Sequence, residues 1–366
     1  MVDLIKKQPV LAASFLAAAV TMFIVPPDRG YSGYINRTVL IQLFSLMTSV
    51  AGLRSLGIFE RVTDTLLEKA GTIRRLGQIF VLICFFSSMI VTNDVALLTF
   101  IPLTLIALKR ADRKSLILTI VLETAAANLG SMLTPVGNPQ NLFIYDNYKL
   151  TAGVFIKTMA PSGTASLVIL MLLTLLLPKD KCTVTEKHTE KISAAPLAGY
   201  ILLFAVCLLT VFRKVPDLAC LAAAVVCALI FDRRLLAKVD YALLATFVCF
   251  FVFVGNIARI DAVGGFFSGI MKGRELIVSA ALSQIISNVP AAVMLSGFTG
   301  SGTKLLLGVN LGGLGTLIAS LASLISFQFY RKTENADQVR YIAVFSAVNF
   351  GILILLLLMQ MLITAI

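Results

Sequence analysis

Leu76–Leu108 reads LGQIFVLICFFSSMIVTNDVALLTFIPLTLIAL, 33 residues without a basic side chain and with Thr92-Asn93-Asp94 near the middle. As one straight helix it would be ~50 Å long, against a bilayer hydrocarbon core of ~30 Å. Both flanks are basic, Arg74 and Arg75 before it and Lys109, Arg110, Arg113 and Lys114 after it. Lys and Arg collect in cytoplasmic loops, which places both ends on that side. The spacing therefore predicts a helical hairpin over 76–108 that enters from the cytoplasm, turns at Thr92–Asp94 and returns. Non-helical backbone at membrane depth persists only where protein buries it or it lines a watery cavity. The turn is thus a candidate site.

Outward from this stretch the same character continues. The chain of 366 residues is 58% hydrophobic and 14% charged, with a mean hydropathy of +0.93. Soluble domains run about 45–50% apolar and about 25% charged. The composition excludes disulfide scaffolds, collagen-like and disordered chains, and soluble enzymes. The net charge of +12 follows from basic cytoplasmic loops, and no basic stripe with interleaved aromatics suggests nucleic acid. The six cysteines form no CxxC pair, and the lone His188 sits in the Lys-rich stretch 179–191. Packing cysteines, no metal, no catalytic triad and no enzyme are the expectations.

The remaining apolar runs are laid across the bilayer in turn. Pro9–Val25 and Ile35–Leu53 are two spans, and an amphipathic piece, Ile58–Ala70, lies in the interface. Ser115–Tyr145 is broken by Asn128–Gln140, which carries two prolines and two glycines, so it reads as two half-helices around an unwound loop. Ala160–Leu177 returns to a cytoplasmic linker, 179–195. Pro196–Phe212, Asp217–Phe231 and Tyr241–Ile257 are spans, 276–303 is a second hairpin, 305–330 a second broken span and 341–366 a last helix. With the N-terminus cytoplasmic, 21 of the 31 Lys and Arg fall inside and 10 outside, the expected bias. An all-α polytopic protein of the cell (inner) membrane is predicted.

The chain also repeats itself. Ser88-x-Ile90-x-Thr92-Asn93-x-x-Ala96 matches Ser283-x-Ile285-x-Ser287-Asn288-x-x-Ala291, and Asn128-Leu-Gly130-x-x-x-Thr134 matches Asn310-Leu-Gly312-x-x-x-Thr316. The first hairpin opens inward and the second outward, so 1–178 and 196–366 form an inverted repeat. Paired broken helices in inverted repeats mark secondary transporters, with substrate and ion sites at the breaks. Half-helix N-termini suit an anion, and unwound carbonyls and amides suit a cation.

At these motifs the sequence resembles the ion transporter superfamily, and within it the divalent-anion/Na⁺ symporter branch of citrate-transporter-like permeases. That branch carries Ser-Asn-Thr on each tip and a Gly-rich loop ending Gly-Thr-Pro-Pro-Asn. Thr92-Asn93-Asp94 and Ser287-Asn288-Val289 stand for the tips, and Gly137-Asn138-Pro139-Gln140-Asn141 for the first loop's end. The second loop ends differently, as Ala319-Ser320-Leu321-Ala322-Ser323. The resemblance implies an elevator transporter, usually a homodimer, whose hairpins and broken helices move against a scaffold. An Asn-Asp tip is also similar to arsenite-efflux and Na⁺/H⁺-antiporter relatives.

Thr92, Asn93, Asn138, Pro139, Ser287, Asn288 and Thr316 are the expected substrate contacts. Asn93, Asp94, Gly130, Thr134, Gly137, Asn288, Gly312 and Gly315 are expected to couple ions, with Glu123 a second proton candidate. Na⁺ is expected at Asn93, Asp94, Gly137 and Asn288. Arg259 and Asp261 read as an interfacial pair, and Arg54 as a side chain snorkelling to headgroups. The expected activity is transport of a small anion, a dicarboxylate such as citrate or an inorganic oxyanion, coupled to Na⁺ or H⁺ with no further cofactor. Na⁺/H⁺ antiport or arsenite-type efflux is the alternative. A channel would need a continuous pore, which dead-end hairpins do not provide.

Overall fold

A computed structural model describes residues 9–58, 61, 70–109, 111–181, 193–334 and 336–365. The amphipathic piece 58–70 falls almost wholly outside the described residues, as do Cys182 and His188. The described part is helical: α1 Pro9–Ile24, α2 Arg37–Ser55, α3 Ile73–Val91, α4 Asn93–Ala107, α5 Arg113–Ser131, α6 Pro139–Asn147, α7 Ala152–Leu173 and α8 Ala194–Val211 lead into α9 Asp217–Phe231. The rest is α10 Tyr241–Ala258, α11 Asp261–Met271, α12 Glu275–Ile286, α13 Asn288–Ser296, α14 Gly302–Leu311, α15 Leu321–Tyr330 and α16 Gln338–Ala365. Among the described residues six helices, counting α7 with the 3₁₀ turn that follows it, are long and apolar enough to cross a membrane. Large apolar side chains such as Phe23, Leu218 and Leu362 stand on the outer surface, as lipid contact requires.

Both hairpins form. α3 ends at Val91 and α4 starts at Asn93, with Thr92 alone between them. α12 and α13 are divided in the same way by Ser287. Both broken spans form too, because α5 and α14 stop ahead of glycine-containing loops and new helices start at Pro139 and Leu321. Pro139 begins α6 where its missing N–H costs nothing, and Asn138 caps that helix by accepting the Asn141 N–H at 3.0 Å.

The segments matched by sequence pack in matched ways. α3 runs along α5 and α12 along α14, while α4 lies against α15 and α13 against α6. α1 pairs with α10 as α9 pairs with α2. α8 has no counterpart ahead of α1 among the described residues. α7 begins eight residues before the expected Ala160, where Thr151 accepts the Val154 N–H. α11, between α10 and the second hairpin, was not foreseen. Arg259 forms an ion pair with Asp28 at 2.9 Å and donates to the Tyr34 hydroxyl at 3.1 Å. That guanidinium holds the Asp28 carboxyl below the usual carboxylate range. The side chain of Asp261 is outside the described residues.

Candidate functional site

The two tips share an unusual backbone. Thr92 has φ 76° and ψ 153°, and Ser287 has φ 73° and ψ 156°. This region is open essentially only to glycine and costs a side-chain-bearing residue on the order of 1–3 kcal/mol. Each tip is tethered to its own loop, at acceptors that match between the repeats. The Asn93 N–H donates to Gly137 O at 3.3 Å, and the Ser287 hydroxyl donates to Ala319 O at 3.3 Å. One step earlier on each hairpin, the Thr134 hydroxyl donates to Met89 O at 2.5 Å and the Thr316 hydroxyl to Gln284 O at 2.9 Å. The two threonines are therefore spent on holding loop to hairpin.

Beneath the tips the repeats exchange side chains. Asn310, in α14, accepts from Asn138 Nδ2 at 3.0 Å and donates to Asn141 Oδ1 at 2.6 Å, both in the first repeat. Its mate Asn128, in α5, accepts from Ser320 Oγ at 3.0 Å and donates to Ser323 Oγ at 3.4 Å, both in the second. Ser320 and Ser323 thus stand where Asn138 and Asn141 stand, hydroxyls in place of amides. Asn128 also accepts from Asn93 Nδ2 at 2.9 Å, which joins the first tip to this network. Within each repeat the broken helix packs closely on its own hairpin. A Cβ on Gly130 would lie 2.0 Å from Phe85 O, and one on Gly312 2.7 Å from Ala280 Cα.

Four helix starts converge here. Asn93 and Asp94 open α4, Pro139 and Gln140 open α6, Asn288 and Val289 open α13, and Ser320 and Leu321 stand at the head of α15. All eight line one void of 10 Å³, room for about one water-sized particle. Asn93 and Asn288, each 4% exposed, thus face a common space. Two atoms that lack partners belong to residues of this lining, Asp94 Oδ1 and Gln140 Nε2. An orphan acceptor and an orphan donor beside one void are what a bound polar ligand would satisfy.

Beside it lies a cavity of 680 Å³. Thr92, Asp94, Asn138 and Pro139 line one part, and Arg54, Ser55, Lys238 and Asp240, at helix ends, line another. Leu43 and Arg54 both line it from α2, so it reaches ~16 Å along that helix. Arg54 does more than snorkel, since its guanidinium donates to Leu98 O at 3.2 Å. The reason is Pro102 inside α4: proline has no N–H, so the carbonyl four residues earlier loses its helical partner. Arg54 fills that gap and is thereby fixed at the cavity wall.

Glu123 lies away from the cavity, fully buried, accepting from the Thr104 hydroxyl at 2.5 Å while Oε2 lacks a partner. Gly315, with φ +102°, lies against Gln284. Site residues missed in the sequence are Asn128, Asn310, Asn141, Gln140, Ser320, Ser323 and Gln284. A signal existed for most of them. The match of Asn128 with Asn310 runs on without a gap to pair Asn138 with Ser320 and Asn141 with Ser323.

The sequence is similar to known transport proteins. The citrate transporter family model matches residues 4–303. An uncharacterized transporter of Methanocaldococcus jannaschii is 35% identical over 79% of this chain and 80% of its own. The inner membrane protein YbiR of Escherichia coli is 31% identical over 84% of this chain and 83% of its own. A silicon efflux transporter of Oryza sativa is 30% identical over 44% of this chain and 34% of its own. With hairpins, broken helices and polar tips assembled as above, and with the family model spanning most of its length, this chain is a membrane transporter and belongs to the citrate transporter family.

Proposed function

We propose that the protein is an ion-coupled secondary transporter for a small anion, either a dicarboxylate of the citrate kind or an inorganic oxyanion. The observation that carries this reading is the meeting of four helix N-termini at one void. Each carries a partial positive charge of roughly half an elementary charge, so their sum favours an anion near the tips. Arg54 and Lys238 in the adjoining cavity add attraction along the way in. Asp94 supplies the coupling. Its carboxylate stands at the same void and repels an incoming anion until a proton or Na⁺ neutralises it, so anion and cation enter together. Asn93, Asn138 and Asn288 orient the cargo through their amides. The cavity, lined by Arg54 and Lys238, opens to the cytoplasm in this state, and the hairpins with α5–α7 and α14–α16 slide as one body against α1, α2 and α8–α10.

The test is uptake into proteoliposomes under an inward Na⁺ gradient, an inward H⁺ gradient, or neither, with citrate, succinate, sulfate and phosphate as cargo. Saturable accumulation under one gradient supports the reading, and non-saturating flux without any gradient would sink it. A second reading, antiport or efflux of a weak acid such as arsenite, is favoured by Asp94 itself. In that case substrate leaves only when Asp94 has taken up its counter-ion from the other side.

A further inference from the structure

The small void and the large cavity are neighbours, and among the described residues Asp94, Pro139 and Leu243 line both. Asn93, Asn288 and Ser320 line the void alone, whereas Thr92 and Asn138 line the cavity alone. The shared residues therefore form the partition between the two spaces. Asp94 and Pro139 belong to helix starts of the site already described. Leu243 comes from the first turn of α10. It brings a branched apolar side chain to a partition that otherwise consists of a carboxyl group and a proline ring.

Contacts on both sides of Leu243 hold it there. Asp240 Oδ1 accepts the Leu243 N–H at 2.9 Å and so caps α10. Tyr241 donates its hydroxyl to Leu236 O at 2.9 Å, and its ring centre lies 6.5 Å from that of Phe44 in α2. Phe247 and Phe251 follow Leu243 at steps of four residues, on the same helix face. Their ring centres lie 6.3 and 5.7 Å from that of Phe143 in α6. Phe143 itself follows Pro139 by one such step. The stripe thus runs along α6 in parallel register, with Phe143 beside the two phenylalanines and Pro139 beside Leu243. The shared lining and the ring contacts are separate observations, and both set Leu243 against the start of α6.

We propose that Leu243 is a specificity-determining residue, a wall that limits the size of the group passing from the cavity to the tips. The void holds about one water-sized particle. With Leu243 in place, a cargo brings a whole carboxylate to Thr92 and Asn138. It reaches Asn93, Asn288 and Ser320 with no more than a single oxygen. The carbons that leucine carries beyond alanine match a carboxylate group in number of heavy atoms. Leu243→Ala therefore makes room for a further carboxylate and shifts preference toward the larger acid. The size preference rests on the anion-transport reading above; the wall does not.

The experiment has two arms, both on the full-length protein. In the first, Val289→Cys places a thiol at the void and Ala51→Cys places one at the cavity. Labelling by a small methanethiosulfonate is followed with Leu243 intact and in Leu243→Ala and Leu243→Phe. Leu243→Ala is expected to speed labelling at position 289 and Leu243→Phe to slow it. Position 51 and the native, fully buried Cys84 should be unaffected. Equal labelling at 289 in all three, or faster labelling at Cys84 as well, overturns the proposal. In the second arm, uptake of radioactive citrate and succinate into proteoliposomes is compared. Leu243→Ala should lower the half-saturating concentration of citrate relative to succinate by roughly tenfold, and Leu243→Phe should raise it. An unchanged ratio overturns the specificity role even where labelling changes. If Leu243→Ala does not fold, Leu243→Phe carries both arms. A parent that takes up neither acid while labelling follows expectation would end the anion reading and leave the wall standing.

Discussion

Thr92 and Ser287 hold nearly the same strained conformation, yet the second residue after each is an aspartate in one hairpin and a valine in the other. Below them the contrast continues, with Asn138 and Asn141 on one side and Ser320 and Ser323 on the other meeting the same kind of partner. Geometry has been kept in both halves while chemistry has diverged. The shared part is what any cargo needs, a break in the helix, a tether and a ring of helix starts. The divergent part includes the one acidic side chain of the two tips, Asp94. A transporter with two equal ion sites would carry matching groups in both tips, and this one does not.

That contrast is open to attack in several ways. The largest effect is expected from Asp94→Asn, which should fold normally and lose gradient-driven accumulation down to the level of empty liposomes. Undiminished accumulation in that variant would remove Asp94 from coupling.

Stability offers finer comparisons. Asn310→Ala removes the partner of two first-repeat amides, and Asn128→Ala removes that of two second-repeat hydroxyls and of Asn93. Each buried group left without a partner costs ~1–3 kcal/mol. Both variants should unfold several degrees earlier, with Asn128→Ala the worse because it strips three groups of their partner, whereas Asn138 keeps its bond to the Ser131 hydroxyl when Asn310 is removed. Thr92→Gly should raise the unfolding temperature by the equivalent of about 1 kcal/mol, since glycine accepts the positive φ without strain. Ser287→Gly should gain less, because serine is not β-branched. An equal response at both tips would argue that the strain is not local.

The smallest effect concerns Asp112, which caps α5 by accepting the Lys114 and Ser115 N–H groups at 3.0 and 3.2 Å. The Ser115 hydroxyl, ahead of these N–H groups, holds its carboxyl below the ordinary range. A depressed carboxyl stabilises the fold above its unfolded pKa of about 3.9, and the benefit fades as pH falls through the lower folded value. Asp112→Ala should therefore cost ~1 kcal/mol at pH 7, and the gap to the parent should close below about pH 4.

Much of the fold could be read from the chain because the bilayer restricts the options. A 33-residue apolar run with basic ends and a polar centre has few solutions, and hairpin 76–108 followed from length and charge alone. The tips were legible for the same reason, since Asn93 and Asn288 are polar where lipid would forbid it. What escaped was the pairing between halves. Nothing local tells Asn310 that it will meet Asn138, or Arg54 that a carbonyl freed by Pro102 lies within reach. Those contacts depend on how α14 meets α6 and α2 meets α4, which hydropathy does not encode. Gln284 escaped because an amide in a hairpin arm looks like a polar stripe until its loop is folded back upon it. α11 escaped because eleven mixed residues after a span carry no length signal.

The crosswise amides have a consequence for how the molecule is made. Asn128 and Asn138 leave the ribosome about 180 residues ahead of Ser320 and Asn310, their respective partners. At synthesis rates of about 5–20 residues per second the delay is roughly 10–40 s. Throughout that interval the newborn front half holds these amides only through partners of its own, Asn93 for Asn128 and Ser131 for Asn138, with their cross-repeat partners still unmade. A front half expressed without its sequel is therefore expected to be recognised and degraded, and supplying the back half as a separate polypeptide should rescue it.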